Sequence, residues 1–179
     1  MDHIYTIGIS GASCSGKTWL ADKIKSISPD KIVVFPMDSY YKGNEFVETL
    51  EFRYDNPLSV DYSKFYNDLY ALRTGEMVGL PIYDYESHKI VGVEQIQAKS
   101  IIVVEGLFSF YEESIRGLFD LKIWTEASDE VLLNRRIERD VRERGDTYYS
   151  IIKRYDNEVL PAYEKYIKNL MSFADFVVK

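Results

Sequence analysis

Eight residues near the N-terminus, Gly11-Ala12-Ser13-Cys14-Ser15-Gly16-Lys17-Thr18, leave few folds open to this chain. They follow an apolar, β-branched run from Ile4 to Ser10 and precede Trp19-Leu20-Ala21-Asp22-Lys23-Ile24-Lys25, whose apolar residues recur at helical spacing. The order is strand, glycine loop, helix. Glycines let consecutive backbone N–H groups turn toward one anion, and the helix N-terminus adds positive potential. Lys17 then reaches outer phosphates, and the Thr18 hydroxyl suits a magnesium ion. The ligand expected from this pattern is a nucleoside triphosphate, ATP with magnesium, held by Gly11, Ser13, Cys14, Ser15, Gly16, Lys17 and Thr18, with Trp19 opening the helix.

Further along, Lys31 to Phe35 ends at Pro36-Met37-Asp38, so polar residues emerge where a parallel strand would finish. Ile101 to Val104 is apolar at every position until Glu105, the pattern of a central strand buried on both faces. Leu118 to Thr125 and Ala174 to Val178 add two more strands. Ser59 to Thr74 is expected to be helical. Residues 78–98 have β-rich flanks around a polar turn and predict a hairpin projecting from the main sheet. Asp129 to Arg144 and Thr147 to Leu170 predict two helices, broken at Gly145-Asp146. Alternating strands and helices imply an α/β, mostly parallel, three-layer architecture forming one domain over residues 1–179.

Composition excludes several classes. The apolar fraction is 46%, and no apolar run approaches the roughly 20 residues that cross a bilayer. The N-terminus lacks the basic and apolar regions of a signal peptide, and the single cysteine, Cys14, suits a reducing compartment; a cytoplasmic location is the expectation. A net charge of -7 argues against a protein that grips nucleic acid.

A phosphate loop does not by itself say what happens to the phosphate. Asp38 is placed to take a proton from an attacking hydroxyl or to help hold magnesium, and Glu105 to hold magnesium through water. Both also read as strand-end caps or surface carboxylates. In Asp129 to Arg144 the apolar stripe reads as Leu133, Ile137 and Val141, with Arg135, Arg139 and Arg142 on another face and Arg136 between. Those arginines fit a solvated helix as readily as a binding surface.

Taken together, the glycine loop, Asp38-Ser39-Tyr40-Tyr41, Tyr54-Asp55-Asn56-Pro57, Pro81-Ile82-Tyr83-Asp84 with Ser87-His88, Glu105-Gly106 and Arg135-Arg136-Ile137-Glu138-Arg139-Asp140 with Glu143-Arg144-Gly145 resemble the uridine kinase (uridine-cytidine kinase) family. The match runs in order over nearly the whole chain. The resemblance implies transfer of the ATP γ-phosphate to a nucleoside 5′-hydroxyl. It makes Asp38 the base and Thr18, Glu105 and Asp38 the magnesium positions. It puts Asp55 on the ribose and Tyr83 and His88 on the pyrimidine, with Tyr41 beside them. It turns residues 129–146 into a lid whose Arg136, Arg139 and Arg144 approach phosphates or acceptor, Arg139 in a catalytic role and Arg144 on the ATP side. Relatives are often homo-oligomers, though no interface signal is visible here.

Two nucleoside-side positions depart from that pattern. Asp146 stands where the family has arginine and Arg154 where it has glutamine, so the pair either compensates or marks another acceptor. Ile90 replaces a basic residue, and the chain stops at Lys179 where relatives continue. The competing readings are a kinase for nicotinamide riboside, a phosphorylated sugar or pantothenate, and a non-catalytic nucleotide-binding regulatory module.

Overall fold

The structure, a computed structural model, describes residues 3–84, 87 and 89–179. In chain order the elements are β1 (Tyr5–Gly11), α1 (Lys17–Ile27), β2 (Ile32–Pro36), a one-turn α2 (Asn44–Val47), α3 (Tyr62–Arg73), β3 (Met77–Asp84) and β4 (Lys89–Gln97). They continue with β5 (Ile101–Glu105), a one-turn α4 (Glu113–Arg116), β6 (Leu121–Thr125), α5 (Asp129–Arg144), α6 (Tyr148–Arg154), α7 (Leu160–Ala162) and β7 (Phe176–Val178). Five strands form one parallel sheet in the order β2-β5-β1-β6-β7, and β3 and β4 pair antiparallel as a separate hairpin.

Alternation along β5 explains its unbroken apolar run. Val103 joins Ile7, Ile9, Ala21 and Ile32 in a core beneath α1. Ile102 and Val104 point the other way, into a larger core with Phe65, Leu69 and Leu72 of α3 and with Ile167 and Leu170. The sheet is therefore covered on both faces, as the sequence predicts. Phe65, Leu69 and Leu72 are fully buried, and each such side chain stabilises the fold by about 1.5–3 kcal/mol relative to exposure. The hairpin β3–β4 rests on α3, and its sheet hydrogen bonds shift register between Ile82 and Tyr83.

β6 begins at Leu121 rather than Leu118 and β7 at Phe176 rather than Ala174, because Leu118, Phe119 and Ala174 still donate to the preceding turns. Three predicted helices differ in extent or facing. The helix expected from Ser59 begins at Tyr62, because Asn56 caps a tight turn over Pro57–Ser59 and Asp61 then accepts from the Lys64 N–H at 3.0 Å. The long final helix is α-helical only to Arg154, then runs through wider turns flanking α7 and a tighter turn to Phe173. Pro161 lies at that break and has no N–H to continue the ladder. In α5 the buried residues are Leu132, Arg136 and Asp140, while Leu133 and Ile137 are half-buried and Val141 is 48% exposed. The apolar stripe read from the sequence is not the inward face, because α5 lies over a polar cleft and turns charged residues toward it.

Candidate active site

Strand order decides where the site forms. β1 lies between β5 and β6, and the helices leaving neighbouring strands open a crevice at the carboxyl ends. Register places Glu105 beside both Ile9 and Pro36, and Thr125 beside Gly11. The phosphate loop, Asp38 and Glu105 thus come to one edge from three adjacent strands.

The loop's shape depends on Gly11. Its φ is +151°, and a Cβ there would meet the Thr125 carbonyl oxygen at 2.3 Å and the Ser15 Oγ at 2.7 Å. Ser15 Oγ and Thr125 Oγ1 lie 2.5 Å apart, tying the loop to the end of β6. Cys14 adopts a left-handed backbone at φ 68° without being glycine. Lys17 is buried, and its Nζ donates to the carbonyls of Ala12 at 2.8 Å and Gly11 at 3.1 Å, which holds the ammonium over the loop. Burial lowers its pKa, and the charges of Glu105 and Asp38 oppose that.

The acids share one electrostatic environment. Burial raises the Glu105 pKa to about 7, with Asp38 pushing the same way and Lys17 and a hydrogen bond with Thr18 opposing. Burial also raises Asp38, against the pull of Lys17, Arg139 and Arg144. Asp55 is raised by burial too, with Arg136 as its main counter-charge. Asp55 ends a turn entered through two left-handed, non-glycine residues, Phe52 at φ 62° and Arg53 at φ 46°. Such backbone costs on the order of 1–3 kcal/mol per residue and persists where the surroundings enforce it.

Tyr41 and Tyr54 line the cleft beside Asp55, and Tyr83 packs behind them. Tyr41 meets the rings of Tyr54 and Tyr83 at centroid distances of 5.4 and 5.9 Å. The Tyr83 hydroxyl donates to that of Tyr54 at 3.2 Å, which donates to Asn44 Oδ1 at 2.9 Å. Above the loop, α5 brings Arg136, Arg139 and Arg144 around Asp140, and Arg135 donates to the Cys14 carbonyl at 3.3 Å.

One cleft of about 1380 Å³ runs through these groups. Of the residues expected from the sequence, it gathers Ser13 to Trp19, Asp38, Tyr41, Asp55, Glu105, Arg136, Arg139 and Arg144. Tyr83 is buried behind Tyr41 and Tyr54 rather than on the cleft wall. Asp146 and Arg154 form an ion pair with each other outside the lining. His88 lies outside the described residues.

The sequence motifs include Tyr54, Arg135 and Asp140 without giving them a site role, and they miss the stretch Thr125 to Ser128, which lines the cleft together with Val178 and Lys179. Tyr54 had a signal, since it adjoins Asp55. Asp140 had only its helical spacing from Arg136 and Arg144, which reads equally as a surface pair.

A phosphate loop opening a helix, acids on two adjacent strand ends and a basic helix closing over them define a P-loop phosphotransferase acting on a hydroxyl group. The sequence profile of the Phosphoribulokinase / Uridine kinase family matches residues 6–179, and the chain belongs to that family. It is 34% identical to the uridine kinase of Borrelia turicatae over 175 residues, covering 96% of this chain and 84% of the relative. Uridine-cytidine kinase A of Dictyostelium discoideum is 34% identical over 96% of this chain, which spans 35% of that longer protein. A solved structure described as a possible uridine kinase from Bacillus stearothermophilus shares the fold, with a TM-score of 0.73 at 19% identity, over 100% of this chain and 90% of that one.

Proposed function

We propose that this chain transfers the γ-phosphate of ATP to the 5′-hydroxyl of a pyrimidine nucleoside, uridine or cytidine, as a step of pyrimidine salvage. The observation that carries the reading is a single cleft joining the phosphate loop to an acceptor wall of Asp55, Tyr41 and Tyr54, with Asp38 between them. The relatives' names point to the same acceptor.

Asp38 takes the 5′-hydroxyl proton, a task within reach of a carboxylate because phosphoryl transfer is loose and the proton moves late. Lys17, Arg139 and Arg144 offset the charge that spreads over the transferring phosphoryl oxygens. Asp55 accepts from the ribose hydroxyls. Tyr41, Tyr83, His88 and Arg136 shape the base side, and Trp19 flanks the nucleotide.

Magnesium fits the donor set. Asp38 and Glu105 each resist ionisation because they are buried, Asp38 adds to the cost at Glu105, and Lys17 offsets both, which is the situation a divalent cation relieves. Thr18, Glu105 and Asp38 offer hard oxygens, and among the described residues no cluster of three acidic, histidine or cysteine ligands forms a closed cage. That suits a metal held by few protein ligands plus phosphates and water. When bound, it neutralises the outer phosphates.

The Asp146–Arg154 pair cancels its own charge reversal. This favours compensation over a different acceptor. No helix among the described residues is long and apolar enough to cross a membrane, and we place the reaction in the cytoplasm. A coupled ADP-release assay across uridine, cytidine, nicotinamide riboside and pantothenate tests the assignment. Release specific to the two pyrimidine nucleosides is expected, and none with either would sink it.

A further inference from the structure

We propose that Asp140 is a positioning residue that holds Arg136, Arg139 and Arg144 of α5 as one preset group facing the reacting phosphate. The proposal rests on the lid-arginine roles given under Proposed function and goes beyond them by assigning what sets the arginines in place.

Asp140 is fully buried and is not among the residues that line the cleft. Its Oδ1 lies 2.8 Å from Arg139, through both Nε and Nη2, and 3.6 Å from Arg144 Nε. Its Oδ2 lies 3.9 Å from Arg136 Nη1 and has no hydrogen bond. Residues four before and four after Asp140 sit one turn below and above it, so a single carboxylate on the inner face reaches both ends of the cluster. Its main-chain carbonyl also accepts from Gly145 and Asp146, which fixes the helix end that carries Arg144. A buried carboxylate is tolerated only when paired, and here one anion meets three cations. The excess positive charge is turned toward the cleft.

An arginine has four flexible side-chain bonds, and ordering it costs conformational entropy. Without the anchor, these guanidinium groups still face Asp38 and Asp55, whose carboxyls already feel them, and Arg139 also feels Glu143. Collapse onto Asp38 would occupy the base. Asp140 keeps the cations near the acids without surrendering them.

Two readouts test this. In ligand-free protein, nitrogen NMR should show the Arg139 Nε–H protected from exchange, and Asp140→Asn should remove that protection. Equal exchange in both proteins would overturn the anchor, and this result does not depend on the acceptor. With ATP, magnesium and uridine, Asp140→Asn should lower kcat roughly 10- to 100-fold while either KM moves less than about threefold. Asp140→Glu keeps the charge but adds volume, so it should turn over faster than the isosteric Asn variant. The reverse order would make the role one of packing and overturn the proposal. Combined with Arg139→Ala, the loss should fall well short of the product of the single losses, whereas a full product also overturns it. If Asp140→Asn does not fold, the exchange measurement and the cycle are run with Asp140→Glu. Failure of the wild type to phosphorylate uridine would count against the acceptor assignment and leave the exchange result to decide the anchor.

Discussion

Asp38 and Glu105 reach the site from the ends of different strands, the Asp38 charge adds to the proton affinity of Glu105, and substituting them one at a time separates their roles. Asp38→Asn removes the base while sparing the phosphate loop. Turnover with uridine should nearly vanish, with ATP binding by calorimetry unchanged within a few fold. Glu105 carries a pH signature. Its folded pKa of about 7 lies above its ordinary 4.5, so the folded state binds more protons between these values. Stability from this group is therefore fully present below about 4.5 and is lost as pH rises through about 7. In chelator, the wild type should lose thermal midpoint relative to Glu105→Gln across that window and then level off. A pH-independent difference would place Glu105 in a polar, unperturbed setting. Both acids could be picked out in the sequence because each ends an apolar run, but only the folded register shows them beside one phosphate loop.

At the scale of elements, β1, β2 and β5 were legible to within a residue because each is a mostly apolar run that ends on polar groups, whereas β6 and β7 begin later than their apolar runs suggest. Helices were less so. α5 carries an apolar stripe, and periodicity assigns that stripe inward; the fold instead buries Leu132, Arg136 and Asp140, since what lies beneath is a charged cleft rather than a core. Burial of a carboxylate leaves no trace in spacing. The end of α5 offers a contrast with the phosphate loop. Gly145 has φ 66° with nothing within 4 Å of an added Cβ, so Gly145→Ala should cost only about 1 kcal/mol in denaturant unfolding, from backbone strain alone. A larger loss would mean the cap positions Arg144 and Asp146 more tightly than open space suggests. The Asp146–Arg154 pair illustrates the same limit: each residue alone looks like a departure from the family, and only their contact reconciles them.

For the molecule as a whole, charge is distributed against its sum. The chain carries -7, yet Lys17, Arg135, Arg136, Arg139, Arg142 and Arg144 all line the cleft. Distance decides which ATP feels. Asp38, Asp55, Glu105, Glu126 and Glu143 line the cleft too, but the cations outnumber them, and charges beyond the roughly 10 Å screening length at 0.1 M salt count for little against those at contact. Raising salt from about 0.05 to about 0.5 M should therefore increase the KM for ATP severalfold with kcat changed less than about twofold. A falling KM would show that the repulsive surface dominates. The composition pointed away from nucleic acid but could not reveal this local inversion, because it depends on how α5 comes over the phosphate loop.

The central place of β1 has a consequence in time. β1 has its sheet partners in β5 and β6, which come much later in the chain, and the Ser15–Thr125 contact that braces the glycine loop closes across 110 residues. Local turns cannot build this loop. A growing chain must keep β1 unpaired until β5 and β6 have emerged, so ATP cannot assist the early stages of folding, and nucleotide binding reports on a sheet that is already assembled.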